Sequence, residues 1–148
     1  MAGGAEDIVW PALVPELEVS DLTASLRIYL GPLGFTLLYG RPEEGFAYLT
    51  RDGAHLMLEE IGGSGRRFSD APMARPFGRG INLQIEIPDV DQLYQSVLAA
   101  GLEMPIPLED KWYRQDEQEA GNRQFVIADP DGYLLRFFSD LGLRPHRA

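Results

Sequence analysis

The chain contains no cysteine and a single lysine, Lys111, and of its 148 residues only His55 and His146 are histidine. Without cysteine there is no disulfide, no thiolate zinc site and no cysteine nucleophile. One lysine leaves one candidate for Schiff-base chemistry, and nothing around Lys111 suggests burial. No stretch approaches the ~20 apolar residues of a membrane helix. Met1 to Trp10 has neither the basic start nor the apolar centre of a signal peptide, so the reading is a soluble, unexported, cytoplasmic protein without a membrane partner. A GxSxG nucleophile motif is missing, and Gly62-Gly63-Ser64-Gly65 lacks the lysine of a phosphate-binding loop. Basic charge is scarce too: 23 acids against 13 bases give a net charge of -10. That balance repels nucleic acid and attracts cations.

What is present is enough apolar sequence, 45% of residues, to build a core for one domain of this length. The order of elements repeats. Pro11 to Ser20 alternates as a strand, Asp21 caps a helix carrying Leu22, Leu26, Tyr29 and Leu30, and Gly31 to Gly34 stops it. Strands over Phe35 to Gly40, Phe46 to Arg51 and Ala54 to Glu60 follow, with Asp52-Gly53 as a hairpin turn. Ile81 to Ile87 then alternates again, Asp89 caps a helix with Val90, Leu93, Val97 and Leu98, and Gly101 ends it. Weaker strand signals cover Met104 to Leu108 and Gln124 to Ala128, and the turn Asp129-Pro130-Asp131-Gly132 opens a last strand, Tyr133 to Phe138. Aligning Asp21 with Asp89, and Asp52-Gly53 with Asp131-Gly132, superposes the halves. The predicted fold is α+β, a single domain over 1–148 made of two βαβββ modules, 11–61 and 81–139, with a linker at 62–80 and a frayed tail at 140–148. Glu109 to Asn122 reads as irregular. Arg66, Arg67, Arg75 and Arg79 make the linker a basic island, consistent with a solvated connector.

The strand after the last turn, Tyr-Leu-Leu-Arg-Phe-Phe, sets a charged Arg136 among apolar residues, where an unpaired charge is costly. Paired βαβββ modules, the segment SLRIYLGPLGF at Ser25 to Phe35 and the hairpin DPDGYLLRF resemble the vicinal oxygen chelate superfamily of glyoxalases, extradiol dioxygenases and bleomycin resistance proteins. RPFGRGINLQIEI at Arg75 to Ile87 and the stretch running from WYR at Trp112 through NRQFVIADPDGYLLRF most resemble the bleomycin resistance branch. The resemblance implies a curved mixed sheet whose hollow holds four metal ligands, one from the first and last strand of each module. By the repeat alignment those positions are Val14, Met57, Asn82 and Arg136. Valine cannot ligate, methionine is soft, and arginine has the wrong charge and no free lone pair. The resemblance therefore implies no metal and no other cofactor, with Arg136 taking a ligand's place in the hollow.

Alternation puts Glu16 and Glu18, His55 and Glu59, and Gln84 and Glu86 on the face of those four positions. The other face, with Leu13, Leu17, Val19, Leu83, Ile85 and Ile87, takes the helices. Arg136 is expected to pair with one of the four carboxylates. The implied function is sequestration of a cationic, aromatic small molecule such as a bleomycin-type glycopeptide, at the interface of a homodimer whose arms are in some cases exchanged. Trp112 is the stacking aromatic by resemblance, with interface or loop packing as the alternative; Phe46, Tyr48 and Phe138 are further walls, and Trp10 is placed away from the hollow. The competing reading is a lyase, isomerase or dioxygenase-like enzyme of the same superfamily, in which His55 and Glu59 recruit a metal from a shifted position. No catalytic residue is assigned.

Overall fold

A computed structural model describes residues 8–63 and 71–147; Arg66 and Arg67 of the basic linker lie outside the described residues. The first repeat comprises β1 (Glu16–Val19), α1 (Leu22–Leu30), β2 (Thr36–Arg41), β3 (Phe46–Arg51) and β4 (Ala54–Glu60). The second comprises β5 (Asn82–Glu86), α2 (Val90–Ala100), β6 (Ile106–Gln115), β7 (Gln118–Ala128) and β8 (Leu134–Pro145). Both helices start as the caps predict. Asp21 accepts a hydrogen bond from the Ala24 amide at 3.1 Å and Asp89 from the Gln92 amide at 3.0 Å, each satisfying a donor that the helix leaves unpaired. Gly101 closes α2 with φ 66°, a left-handed conformation that costs glycine little.

Each repeat forms its own four-stranded mixed sheet, ordered β1-β4-β3-β2 and β5-β8-β7-β6. The first strand runs parallel to the last, and the remaining pairs are antiparallel. The two registers correspond. Glu16 pairs with Met57 in the first sheet and Gln84 with Arg136 in the second, the same residues that the two independent cap and turn alignments set against each other.

One core joins the repeats. Leu17, Val19, Leu49, Leu56 and Leu58 of the first sheet and Ile85, Phe125, Ile127, Leu135 and Phe137 of the second are buried in one cluster with Tyr29 of α1 and Val90, Leu93 and Val97 of α2. This follows from the period-2 alternation, which gives each sheet one apolar face to cover. Leu83 packs against that cluster as expected, but Leu13 does not. It is 81% exposed, because β1 begins only at Glu16 and the alternation before it belongs to an extended approach.

The Asp129-Pro130-Asp131-Gly132 turn clasps the halves together. Asp129 is buried, accepting from the Tyr29 hydroxyl of α1 at 2.8 Å and from the amides of Asp131 and Tyr133 at 2.9 Å each. Asp131 accepts from the amide and hydroxyl of Ser20, just before α1. The linker docks on the same turn: the Phe77 amide donates to the Asp131 carbonyl at 2.8 Å, and Arg75 reaches the Pro130 carbonyl and the Glu103 carboxylate. Arg79 donates to the Pro76 and Arg75 carbonyls at 3.3 Å each, so these two arginines of the basic island work within the chain.

Two regions differ from the sequence reading. Glu109 to Asn122 is not irregular: it is the outer length of the β6–β7 hairpin, and β8 continues beside it to Pro145, so residues 140–145 are strand rather than frayed tail. This three-stranded arm extends beyond the core, so neither face needs an apolar pattern and its backbone pairing has no hydrophobic signature. Side chains brace it instead. Arg123 bridges Asp110 at 2.8 Å and Asp91 at 3.4 Å, and Glu119 receives Arg144 at 2.7 Å and His146 at 2.9 Å. His146, read as part of a loose tail, is tied down both there and through its amide to the Glu117 carbonyl. Its hydrogen bond, followed by that of Arg144, holds the Glu119 carboxyl below the usual range. No described helix is long and apolar enough to cross a membrane.

Candidate functional site

With one face of each sheet committed to the common core, the opposite faces are where a ligand can be met. On the first sheet the register groups Glu16 and Glu18 of β1, His55, Met57 and Glu59 of β4, Phe46 and Tyr48 of β3, and Tyr39 and Arg41 of β2 on that open face. Phe46 and Tyr48 are each only 4% exposed although they stand outside the common core. Other aromatic groups bury them. Tyr39 stacks on Tyr48 with ring centroids 5.1 Å apart and planes 18° from parallel, and Trp10 meets Tyr48 edge-on at 5.2 Å and His55 at 5.7 Å. The placement of Trp10 away from this face is therefore corrected. The extended approach that carries Leu13 into solvent folds Trp10 across β3 and β4.

The polar groups of this face are strongly conditioned by their neighbours. His55 is buried with Nδ1 2.9 Å from the Tyr48 hydroxyl, and burial lowers its pKa. Burial, and then the neighbouring Tyr39, raises that of Tyr48. Glu59 is pushed up by burial first and then by the like charges of Glu16 and Glu18. Three carboxylates thus crowd beside an aromatic wall. A cation already lies on that wall: the Arg41 guanidinium sits 3.9 Å over the Phe46 ring, with Glu44 as its counter-ion.

The second sheet presents different chemistry. Asn82, Gln84 and Glu86 of β5, Leu134, Arg136 and Phe138 of β8, Gln124 of β7, and Glu109 and Tyr113 of β6 share its open face. Gln124, 2% exposed, donates to the Tyr113 hydroxyl at 2.7 Å and to Glu109 at 3.0 Å. Arg136 Nη1 donates to the same Tyr113 hydroxyl at 3.3 Å. The expected pairing of Arg136 with a carboxylate is not found: among the described residues it forms no ion pair. Glu16, Glu18 and Glu59 belong to the other sheet, and the side chain instead leans on the Tyr113 and Gln124 network. Tyr113, Gln124 and Glu109 were not nominated from sequence, since they lie in or beside the stretch read as irregular.

Trp112 projects from the arm. Its indole packs across Gly121, the residue opposite it on β7, and the Arg144 guanidinium lies 4.0 Å over the ring. The aromatic side chain nominated for stacking is thus already stacked within the chain.

The four ligand positions of the metal-using superfamily pattern do not fit a metal. Val14 has no donor, Met57 is a soft thioether beside Glu16, Asn82 offers one amide, and Arg136 brings positive charge. Among the described residues no group of three or more histidine, cysteine, aspartate or glutamate side chains could hold a metal ion. His55, the centre of the enzyme reading, has Nδ1 engaged by Tyr48.

Two open sheet faces behind a shared core, in repeated βαβββ order, define a class of protein. The chain belongs to the glyoxalase/bleomycin resistance protein/dioxygenase superfamily, whose family model matches residues 13–137. It is 34% identical over 135 residues to bleomycin resistance proteins of Geobacillus stearothermophilus and Staphylococcus aureus, a match covering 86% of this chain and 96% of each relative. Among solved structures, TioX from Micromonospora sp. ML1 superposes with a TM-score of 0.67 at 24% identity, covering 89% of this chain and all of that one, which establishes likeness of fold.

Proposed function

We propose that the protein is a metal-free binding protein that sequesters a cationic, aromatic small molecule of the bleomycin glycopeptide type. The observation that carries this reading is the open face of the first sheet, where the wall of Tyr39, Phe46, Tyr48 and Trp10 adjoins Glu16, Glu18 and Glu59. A planar cation meeting that face gains ring stacking, cation-π attraction and three nearby negative charges together. The position of Arg41 over Phe46 indicates that a guanidinium is accepted there. The relatives named as bleomycin resistance proteins supply the ligand class, and the absent metal-donor set argues against metal chemistry at the superfamily's usual position.

The ligand crevice is completed by a second copy of the chain in this proposal. Each sheet leaves one face outside the shared core, and Trp10, Tyr39 and Ile106 stand exposed on or against those faces. A homodimer that sets the open face of one copy against that of the other covers them, and the β6–β8 arm supplies the reach for exchange between copies. The test is a titration with a bleomycin-type glycopeptide followed by tryptophan fluorescence, with sedimentation on the same samples. Quenching that weakens with added salt in a dimeric protein is expected; unchanged fluorescence, or a monomer at every concentration, would sink this reading.

A further inference from the structure

Residues 75–80 of the linker fold back onto the last turn and hold a cavity open beside it. The Phe77 ring meets Tyr133 edge-on at 5.9 Å, and Gly78 lies so close to Tyr133 that a Cβ there would stand 2.5 Å from its ring. With the Phe77 amide bonded to Asp131, this loop is a fixed wall. The cavity measures about 490 Å³, within the roughly 300–1,000 Å³ of small-molecule sites. Leu134 and Ala128, opposite each other on β8 and β7, line its sheet side, so it stands at the end of the second sheet's open face. Pro76, Phe77 and Pro105 extend the apolar lining, and its charged groups are Arg75, Arg79 and Glu103. Arg75 is neutralised by Glu103 at 2.8 Å. Arg79 is exposed and has no carboxylate partner among the described residues. Its Nε and Nη2 donate to the Pro76 and Arg75 carbonyls, which holds the guanidinium on its own loop and leaves the Nη1 and Nη2 edge to be matched.

We infer that this cavity is a second ligand site, which takes a small monocarboxylate with an apolar body, its carboxylate on Arg79 and its body against Leu134, Ala128 and Phe77. Two parallel N–H groups on one guanidinium edge match a planar carboxylate. The apolar lining gives the body a surface to be buried against. A single unbalanced cation suits a single negative charge, and the Glu103 carboxylate in the same lining repels a dianion. The site goes beyond cation capture on the first sheet and does not rest on it, since the two share no residue and select opposite charges.

The probe is 2-naphthoate, with 2-naphthamide as the uncharged molecule of the same shape. In protein carrying carbon-13 in its leucine methyl groups, the Leu134 signals, assigned by their loss in Leu134→Met, should move saturably as 2-naphthoate is added. The amide should bind the same place about tenfold more weakly. Arg79→Gln should weaken 2-naphthoate about tenfold and leave 2-naphthamide unchanged, as expected for losing one charge-assisted contact from an intact cavity. Leu134 signals that ignore 2-naphthoate, or equal affinities for the two probes, overturn the assignment. So does an Arg79→Gln protein that loses both probes alike, because the arginine would then shape the cavity without reading the anion. Glycopeptide quenching should persist in Arg79→Gln, so failure of the carboxylate site leaves cation capture standing, and failure of cation capture leaves the carboxylate site.

Discussion

The two repeats share an element order, a strand order and corresponding registers, yet their open faces differ in kind. The first is aromatic and acidic; the second carries amides, a tyrosine and an arginine without a counter-ion among the described residues. The faces turned to the core show no such difference, since both are lined by branched and aromatic apolar residues. The contrast separates two demands on one repeat. Core positions answer to packing, which both halves must satisfy alike, while open positions answer to whatever meets them from outside. The equivalent positions Met57 and Arg136 show how far the latter can diverge.

The repeats' last turns differ as well, and this is where breaking the comparison should cost most. Asp52-Gly53 in the first half is an ordinary two-residue hairpin with Asp52 at φ 48°, whereas Asp129 in the second is buried and serves three donors. Asp129→Ala leaves the Tyr29 hydroxyl and two amides without an acceptor and is expected to destabilise by about 3–5 kcal/mol. Asp52→Asn, which still tolerates a left-handed conformation, should stay within about 0.5 kcal/mol. Urea unfolding of the pair measures the asymmetry, and equal losses would mean that the clasp is not what joins the halves.

Glu59 sharpens the contrast between the open faces. Its removal takes one of three charges from the proposed cation site, so Glu59→Gln should weaken a bleomycin-type ligand about tenfold, the scale of one near charge at about 1.4 kcal/mol. The same change should raise the melting temperature slightly at neutral pH. Because the folded-state pKa of Glu59 lies above its unfolded value, its contribution to stability is fully present below the unfolded value of about 4.5 and is lost as pH rises through the folded one. The gain from Glu59→Gln should therefore grow from acid toward neutral pH. A gain that shrinks over this range would contradict the crowding of the three carboxylates.

Exchanging the equivalent residues tests the second face. Arg136→Met places there what the first repeat carries at Met57. A partner in an ion pair would be left uncompensated by this change, at a cost of about 3–5 kcal/mol. With no such pair among the described residues and an unmatched Nε, the expected change is within about 1 kcal/mol in either direction, read by thermal or urea unfolding. A loss of several kcal/mol would restore the carboxylate partner that the sequence suggested.

How much of this was legible from residues alone divides along the same line. Asp21, Asp89 and Gly101 bound the helices as read, and β3 and β4 have the limits that Asp52-Gly53 and Gly45 imply, because caps and turns are local chemistry. The shared face of Glu16, Glu18, Glu59 and Gln84 followed from period-2 alternation, and the place of Arg136 on it from the superfamily resemblance. The arm was not legible. Its strands carry polar residues on both faces, so no alternation marks them, and only the pairing of Lys111 with Asn122 and Glu119 with Arg144 in space reveals it. Nor could sequence show that Trp10 returns to β3, since a contact made by an irregular segment leaves no period to read.

The two tryptophans allow the smallest and most local test, one in each half. Trp10 lies on the acidic aromatic face, while the ring of Trp112 is covered by Arg144. A cation-π contact at such an exposed site is worth about 0.5–1 kcal/mol, so Arg144→Ala should barely alter unfolding. Its effect should appear in the probe. In the wild-type protein a cationic ligand is expected to quench chiefly Trp10, so Trp10→Phe removes most of the signal and Trp112→Phe little. In Arg144→Ala the indole of Trp112 is freed, and a second quenching component should arise that disappears again when Trp112→Phe is added. Both components should weaken with salt, because screening acts on the carboxylates around each ring. If Trp112→Phe alone abolishes the wild-type quench, a ligand displaces Arg144 from its stack, and the arm rather than the first sheet is where the cation is held.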